Sequence, residues 1–387
     1  MRCPATAATV AVAMTTLQSQ RTQALVTRAT ARPARVAYVD VFRGLLIAHM
    51  ALDHASLMFN AGRAAEELAG EPAPVFDGLW QFLTRFAGVP VAPGFFFMAG
   101  FMVALTSAAR LDRGVPARDV TRKLVTRGLV LIAADALIMG LPRLLMGFYS
   151  FAVLSSIGVG LILLALVRDV PARVLLPVAL AVVLLHPLLD VSSLPVALQA
   201  VLYEPVRVGA LRSLYPIIPW SAIVIIGYIV GCDALRRERP VRFWLLCSAV
   251  SLLAFALVRL SGGFGNAYPW SSIASREFWM FAKYPPDLPF LAWSFMAIFL
   301  TLAVSWSLTR EHTPLALRPL EIFGRVPFFF YLVHFYVLGI AAAIARTKVG
   351  LPGTYAIWIL LLVVMSWPCV WYYRKKSERP NLITRYL

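Results

Sequence analysis

Charged residues are scarce in this chain of 387 residues: 14% are charged, 60% are hydrophobic, and the mean hydropathy is +0.76. So few polar side chains cannot cover the surface of a water-soluble protein of this length. Apolar stretches of about 17 to 25 residues recur along the whole chain instead, and each is long enough to cross a bilayer as a helix. The composition excludes a soluble globular fold and indicates a polytopic membrane protein whose first partner is the lipid bilayer.

Cysteine is rare too, with four residues and neither a CxxC motif nor any other paired spacing. This pattern supports neither a disulfide framework nor a metal site, so no metal is predicted. Strands that alternate apolar and polar residues, which a membrane barrel requires, are also missing, because the apolar runs are continuous. We therefore expect an all-α fold.

Ten apolar stretches are predicted to be transmembrane helices. They cover residues 38–60, 79–107, 123–142, 150–167, 171–190, 214–235, 241–260, 289–308, 327–345 and 352–373. The segments on the side of the N-terminus hold 24 Lys and Arg, and the opposite segments hold 9. Because basic loops stay in the cytoplasm, both termini are predicted to be cytoplasmic, with the chain in the inner membrane. Topology thus accounts for the formal charge of +17, and no nucleic-acid partner is expected.

The N-terminal segment 1–34 contains four arginines and no acidic residue. Its apolar stretch is weak, so a disordered basic cytoplasmic tail is the interpretation, with a signal peptide as the alternative. Residues 35–387 contain no long polar insert or repeat and are predicted to form one transmembrane domain. The sequence carries no indication of an oligomeric state.

Ionisable side chains inside apolar stretches are costly in lipid and are therefore candidates for function. In the first stretch, a turn of about 100° per residue places Asp40, Arg43 and His54 on one stripe of the helix, with His49 on the opposite side. A rise of about 1.5 Å per residue puts Arg43 near the cytoplasmic face and His54 roughly 16 Å further out. We therefore expect the guanidinium of Arg43, which can bind an anion through two N–H groups, near the cytoplasmic face of the membrane. The imidazole of His54, which titrates near neutral pH, is expected in the outer half.

The ninth stretch repeats this arrangement in the run FGRVPFFFYLVHFYVL. Arg325 lies at its cytoplasmic end, and His334 is roughly 10 Å deeper. The second stretch contains Pro90, Pro93 and Gly94. Proline removes a helix hydrogen bond, and in lipid the freed carbonyl needs another partner or a water-filled cavity, so a break at this depth indicates a site, with a packed kink as the alternative. His54 and His334 are the candidate catalytic residues.

Five segments, in order along residues 35–387, resemble the bacterial relatives of heparan-alpha-glucosaminide N-acetyltransferase, which belong to the transmembrane acyltransferase superfamily. The segments are RVAYVDVFRGLLIAHMALDH, FLTRFAGVPVAPGFFFMAG, YPIIPW, KYPPDLPF and FGRVPFFFYLVHFY. The resemblance implies a multi-pass enzyme that takes an acetyl or other acyl group from cytoplasmic acyl-CoA and delivers it to an extracytoplasmic sugar or glycan. No further cofactor is implied. One departure is Val89, which stands where many bacterial members have a histidine.

The roles that follow from the resemblance fall on residues of three groups. The predicted catalytic residues are His54 and His334. The predicted donor-binding residues are Asp40, Arg43 and Arg325, and the predicted substrate-binding residues are Arg85, Lys283 and Asp135. His54 is expected either to act as general base on the acceptor or to carry the acyl group briefly itself. The alternative from another functional class is a transporter or flippase that uses the same buried polar residues as a substrate path.

Overall fold

The computed structural model describes residues 37–145, 147–204, 207–208 and 211–378, so the predicted tail 1–34 lies outside it. The described chain is almost entirely helical, which confirms the all-α class. Its α-helices are α1 Ala37–Phe59, α2 Leu79–Ala87, α3 Val91–Leu111, α4 Ala117–Ala134, α5 Leu141–Leu145, α6 Val153–Val167, α7 Ala172–Leu185, α8 Val196–Leu202, α9 Ile217–Ala234, α10 Val241–Ser261, α11 Leu288–Thr309, α12 Arg318–Arg325, α13 Pro327–Ala345 and α14 Leu351–Glu378. The strands are β1 Tyr149–Phe151, β2 Arg207–Val208 and β3 Leu211–Ser213.

Six helical segments of the described chain are long and apolar enough to cross a membrane. They are Leu79–Leu111, Ile217–Ala234, Val241–Ser261, Leu288–Thr309, Pro327–Ala345 and Leu351–Glu378. The other four predicted spans coincide with α1 and α4, which contain more charged residues, and with α6 and α7, which are shorter. The count of ten spans and the cytoplasmic termini therefore stay predictions.

The first helix, α1, is largely buried and packs against α11, α12, α13 and α14. Its contact with α12 is so close that a Cβ on Gly44 would lie 1.9 Å from the carbonyl oxygen of Leu320. In the reciprocal contact, a Cβ on Gly324 would lie 1.8 Å from the carbonyl oxygen of Asp40. Small residues allow helix backbones to approach in this way, and the contact fixes α1 relative to α12.

The second predicted span is not one continuous helix. Helix α2 ends at Ala87, and α3 begins at Val91 after a turn that contains Gly88 and Pro90. The carbonyl of Val89 has no helical donor, because the residue four positions on is Pro93, and it accepts a hydrogen bond from Ser294 Oγ at 3.4 Å instead. Pro90 has no N–H to continue α2, and the span is divided here into α2 and α3.

Two long loops, 60–78 and 262–287, are joined to each other at one end of the helices. The backbone N–H groups of Lys283 and Tyr284 donate to the carbonyl of Glu67 at 2.9 and 3.1 Å, and the Tyr268 hydroxyl donates to the carbonyl of Leu68 at 3.0 Å. These loops hold several charged side chains in one place, although they contain little regular structure.

Loop 262–287 is anchored by Arg259, a fully buried residue near the end of α10. Its guanidinium donates to the carbonyls of Phe278 at 2.8 Å, Tyr268 at 3.0 Å and Glu277, and to the side-chain oxygen of Asn266 at 2.9 Å. The five N–H groups of arginine suit this role, because one side chain satisfies several buried carbonyls.

Candidate active site

A cavity of about 950 Å³ lies between the helices, and α1 supplies part of its wall. Arg43 and Arg127 border the cavity at one end. His54 lies further along α1, and the loop residues Glu66 and Lys283 border the other end. The turn at Gly88, where the second span is broken, also contributes to the wall, so the break borders the cavity as the sequence suggested. Arg43 and His54 face the same space, as expected for residues on one helical stripe.

The two candidate catalytic histidines form a pair. His54 Nδ1 lies 2.8 Å from His334 Nε2, and the two rings are nearly parallel, with centroids 5.1 Å apart. His54 lines the cavity, whereas His334 is fully buried behind it. Phe335 packs edge-on against the His54 ring at 5.3 Å and restricts its orientation. The structure thus joins two residues that are 280 positions apart in sequence.

The hydrogen-bond partners of the pair determine which nitrogen carries a proton. His334 Nδ1 lies 2.7 Å from the carbonyl oxygen of Phe330, which can only accept, so His334 Nδ1 must donate. A neutral His334 then has an unprotonated Nε2, and this nitrogen accepts from His54 Nδ1. His54 is consequently left with an unprotonated Nε2, for which the described residues provide no hydrogen-bond partner. This nitrogen can accept a proton or attack a carbonyl carbon.

Beside His54, Arg85 is the centre of a charged network at the loop end of the cavity. Its guanidinium is within 2.7 Å of Asp53 and Glu66 and within 2.5 Å of Glu67. Arg63 bridges Asp53 at 2.9 Å and Glu66 at 2.8 Å. Burial opposes the ionisation of Glu66, but the neighbouring cations, Arg85 foremost, outweigh it and lower the pKa of Glu66 to about 2. Glu66 therefore remains ionised over the physiological pH range.

Lys283, a predicted substrate-binding residue, lines the same end of the cavity. Its ammonium lies 5.0 Å from the ring centroid of Tyr284 and 5.9 Å from that of Tyr215, within the range of cation–π attraction. The hydroxyls of the two tyrosines are 3.1 Å apart. The lysine and the tyrosines together offer a polar, partly aromatic surface to a ligand in the cavity.

The three predicted donor-binding residues are separated by the fold. Arg43 lines the cavity and lies 3.5 Å from Asp40. Arg325 does not border the cavity; it contacts Asp40 at 3.6 Å and pairs with Glu321, and its guanidinium lies 5.1 Å from the ring centroid of Tyr373. Arg43 can therefore reach a ligand, whereas Arg325 is held away from the cavity by Asp40 and Glu321, and Asp40 contacts both arginines.

Asp135, predicted to bind substrate, is fully buried and does not border the cavity. Its carboxylate accepts from the backbone N–H groups of Ala152 at 3.1 Å and Ser155 at 3.0 Å, at the start of α6. A carboxylate at a helix N-terminus satisfies N–H groups that have no helical partner. The structure thus places Asp135 as a helix cap, at 4.0 Å from Arg143, which does line the cavity.

Four arginines of the cavity wall were not among the predicted site residues: Arg63, Arg127, Arg143 and Arg212. Arg127 interrupts the apolar part of α4, and this was the available sequence signal. The other three lie outside the predicted spans, Arg63 in loop 60–78, Arg143 in α5 and Arg212 in β3, where an arginine is ordinary and carries no such signal. The described ranges show no group of three His, Cys, Asp or Glu side chains that could hold a metal ion.

Comparison with models of known protein families gives a match. The family model described as heparan-alpha-glucosaminide N-acetyltransferase, catalytic, matches residues 35–260, which is more than half of the chain. The matched region contains His54, Arg43, Arg85 and Arg127, whereas His334 lies beyond it. No curated protein matches the chain.

Proposed function

Because this chain belongs to the family of heparan-alpha-glucosaminide N-acetyltransferase catalytic domains, we propose that it transfers an acetyl or other acyl group from acyl-CoA to a sugar or glycan across the membrane. The observation that carries the proposal is His54, which is hydrogen-bonded to the buried His334 and lies on the wall of a cavity with arginines at one end and charged loop residues at the other. The volume is near the upper end of the range of about 300 to 1,000 Å³ for small-molecule sites. Parts of two substrates would thus fit together beside His54.

The donor end is assigned to Arg43 and Arg127. Guanidinium groups bind phosphate through paired hydrogen bonds, and CoA carries several phosphate groups. No carboxylate lies within 4 Å of Arg127 among the described residues, and its charged neighbours are Arg43 and Arg110. An anion would relieve this repulsion. The pantetheine arm would then bring the thioester along the wall of α1 toward His54.

In the proposed reaction, His54 Nε2 removes the proton from the acceptor hydroxyl or amine as that group attacks the thioester carbonyl. The carbon–sulfur bond breaks, and the CoA thiolate takes the proton back from His54. His334 holds His54 in the tautomer that exposes Nε2. An acyl-imidazole intermediate would use the same nitrogen, and single-turnover release of CoA without acceptor distinguishes the two routes.

The deciding experiment is release of CoA by the purified chain, given acetyl-CoA and a panel of sugars and amino sugars. We expect His54→Asn to lower turnover by a factor on the order of 10² to 10⁴, while acetyl-CoA still binds. His49→Asn is the matched control, because His49 lies on the same helix outside the cavity wall and its ring bonds the carbonyl of Leu45. Unchanged turnover in His54→Asn would remove the proposed base.

The donor end has its own test. Arg127→Gln and Arg43→Lys should raise KM for acetyl-CoA by about ten-fold or more, since a charge-assisted phosphate contact is lost or distorted. Rates with S-acetyl-N-acetylcysteamine, a donor without phosphates, should not change. Arg122→Gln on the exposed face of α4 serves as the control. An equal effect on both donors would place the CoA phosphates elsewhere.

A further inference from the structure

Two arginines that the reaction above does not use lie at the small sheet in the cavity wall: Arg212 in β3, and Arg143 in the short helix α5. Strands β1 and β3 pair in parallel, and their register places Ser150 opposite Arg212. The Arg212 guanidinium stacks on the Phe148 ring at 3.9 Å. Arg143 donates from Nη1 to Ser150 Oγ at 2.7 Å. Arg143, Ser150 and Arg212 thus form one contiguous patch that borders the cavity.

This patch has an excess of positive charge. Within the described chain, no carboxylate lies within 4 Å of the Arg212 guanidinium. The nearest carboxylate to Arg143 is that of Asp135: its Oδ2 accepts from two backbone N–H groups at the start of α6, and its Oδ1, which has no hydrogen-bond partner among the described residues, lies 4.0 Å from Arg143. Asp135 therefore balances one of the two arginines, and Arg212 carries the excess charge. The carboxylates of the charged network are already engaged by Arg63 and Arg85.

The geometry of Arg212 suits an anion. Stacking on an aromatic ring occupies the face of a guanidinium and leaves its edge N–H groups directed outward, where a carboxylate, sulfate or phosphate can accept two hydrogen bonds. Arg143 is close enough to interact electrostatically with both His54 and Tyr331, so the patch is near the reacting group. The donor arginines are at the other end of the cavity.

We infer that Arg212 and Arg143 form a binding site for an anionic group on the acceptor, and that the acceptor therefore carries a carboxylate, sulfate or phosphate beside the position that is acylated. The assignment to the acceptor rests on the proposed function, whereas the anion site itself does not. A negatively charged group on the acceptor would neutralise the excess positive charge of the patch, and its binding there would hold the reacting hydroxyl or amine at His54.

The first test uses inorganic sulfate as the probe. The thermal unfolding midpoint of the full chain in detergent is measured against millimolar sulfate, with chloride at equal ionic strength as reference. Wild type should show a saturable rise, and Arg212→Gln should weaken the apparent sulfate affinity about ten-fold or more. Arg212→Lys keeps the charge without the fork and should give an intermediate affinity. Arg242→Gln, an exposed arginine of α10, should respond like wild type.

The outcomes separate the possibilities. A wild type without a saturable response, or an Arg212→Gln chain with the wild-type response, overturns the site. Loss of the response in Arg127→Gln instead of Arg212→Gln places the sulfate at the donor end and also overturns it. A chain that binds sulfate through Arg212 but never releases CoA contradicts the proposed function and leaves the anion site standing.

The second test compares glucosamine with glucosamine 6-sulfate as acceptors, a pair that differs by one anionic group. Arg212→Gln should raise KM for the sulfated acceptor about ten-fold and leave the neutral one unchanged. An equal fall of kcat for both acceptors would show that the patch stabilises the transition state instead, which contradicts an acceptor-binding role. If neither sugar is acylated, the sulfate titration alone decides whether the site exists.

Discussion

The pairing of His54 with His334 predicts that His334 acts by accepting a hydrogen bond and not by transferring a proton. Two replacements separate these roles. In His334→Gln, the side-chain carbonyl can take the place of Nε2 and accept from His54 Nδ1. In His334→Leu, no acceptor remains, and the tautomer of His54 is no longer fixed.

The expected magnitudes follow from the contacts. His334 is fully buried, so His334→Leu leaves the His54 Nδ1–H without a partner and should cost about 1 to 3 kcal/mol of stability. Loss of the group that fixes the tautomer of a catalytic histidine lowers kcat by about 10² to 10⁴ in comparable systems. His334→Gln should stay within about ten-fold of wild type. KM for acetyl-CoA should not change in either variant, because the donor arginines are untouched.

The assay is steady-state release of CoA, with the double variant His54→Asn/His334→Leu included. Because the two residues act as one unit, the double variant should be no slower than His54→Asn alone. If His334→Gln is as inactive as His334→Leu while His54→Asn remains active, His334 is itself the base and the reasoning fails. If the fold-loss of turnover in the double variant equals the product of the fold-losses in the two single variants, the residues act independently.

Three further predictions concern the scaffold. Arg259→Met should lower the free energy of unfolding by at least about 3 kcal/mol, because several buried carbonyls lose their donor, and a thermal midpoint unchanged in detergent would contradict this. Gly324→Ala places a methyl against the carbonyl of Asp40 and should cost about 1 to 3 kcal/mol and weaken acetyl-CoA binding; wild-type affinity would argue against the close contact. A reporter fused after Leu387 should be active in the cytoplasm, and one inserted in 191–213 active outside; the opposite result would reverse the topology.

Several features of the site could be predicted from the sequence because they are local to one helix. The angular spacing of Arg43 and His54 placed both on one stripe of α1, and both border the same cavity. The proline interruption of the second span became the turn at Gly88, which also borders it. Periodicity and backbone chemistry act over a few turns, so they are readable without a tertiary structure.

Other features depend on which helices pack together, and local pattern does not specify this. The roles of Arg43 and Arg325 looked equivalent in sequence, since each precedes a histidine in an apolar stretch. The packing of α12 against α1 turns Arg325 toward Asp40 and Glu321 and leaves only Arg43 at the cavity. Asp135 looked like a buried functional carboxylate, whereas its neighbours in space make it the cap of α6.

The sequence by itself determined that this protein lies in a membrane and that its fold is all-α. Continuous apolar runs must form helices in a bilayer, because lipid offers no partner for an unpaired backbone group. Its ordered motifs also determined the family. Only the tertiary structure decided that His54 and His334 are one hydrogen-bonded pair, that Arg85 contacts three carboxylates beside them, and that Arg212 has no carboxylate within 4 Å among the described residues. These relations join residues far apart in the chain, and long-range packing, which no local period encodes, brings them within a few ångströms.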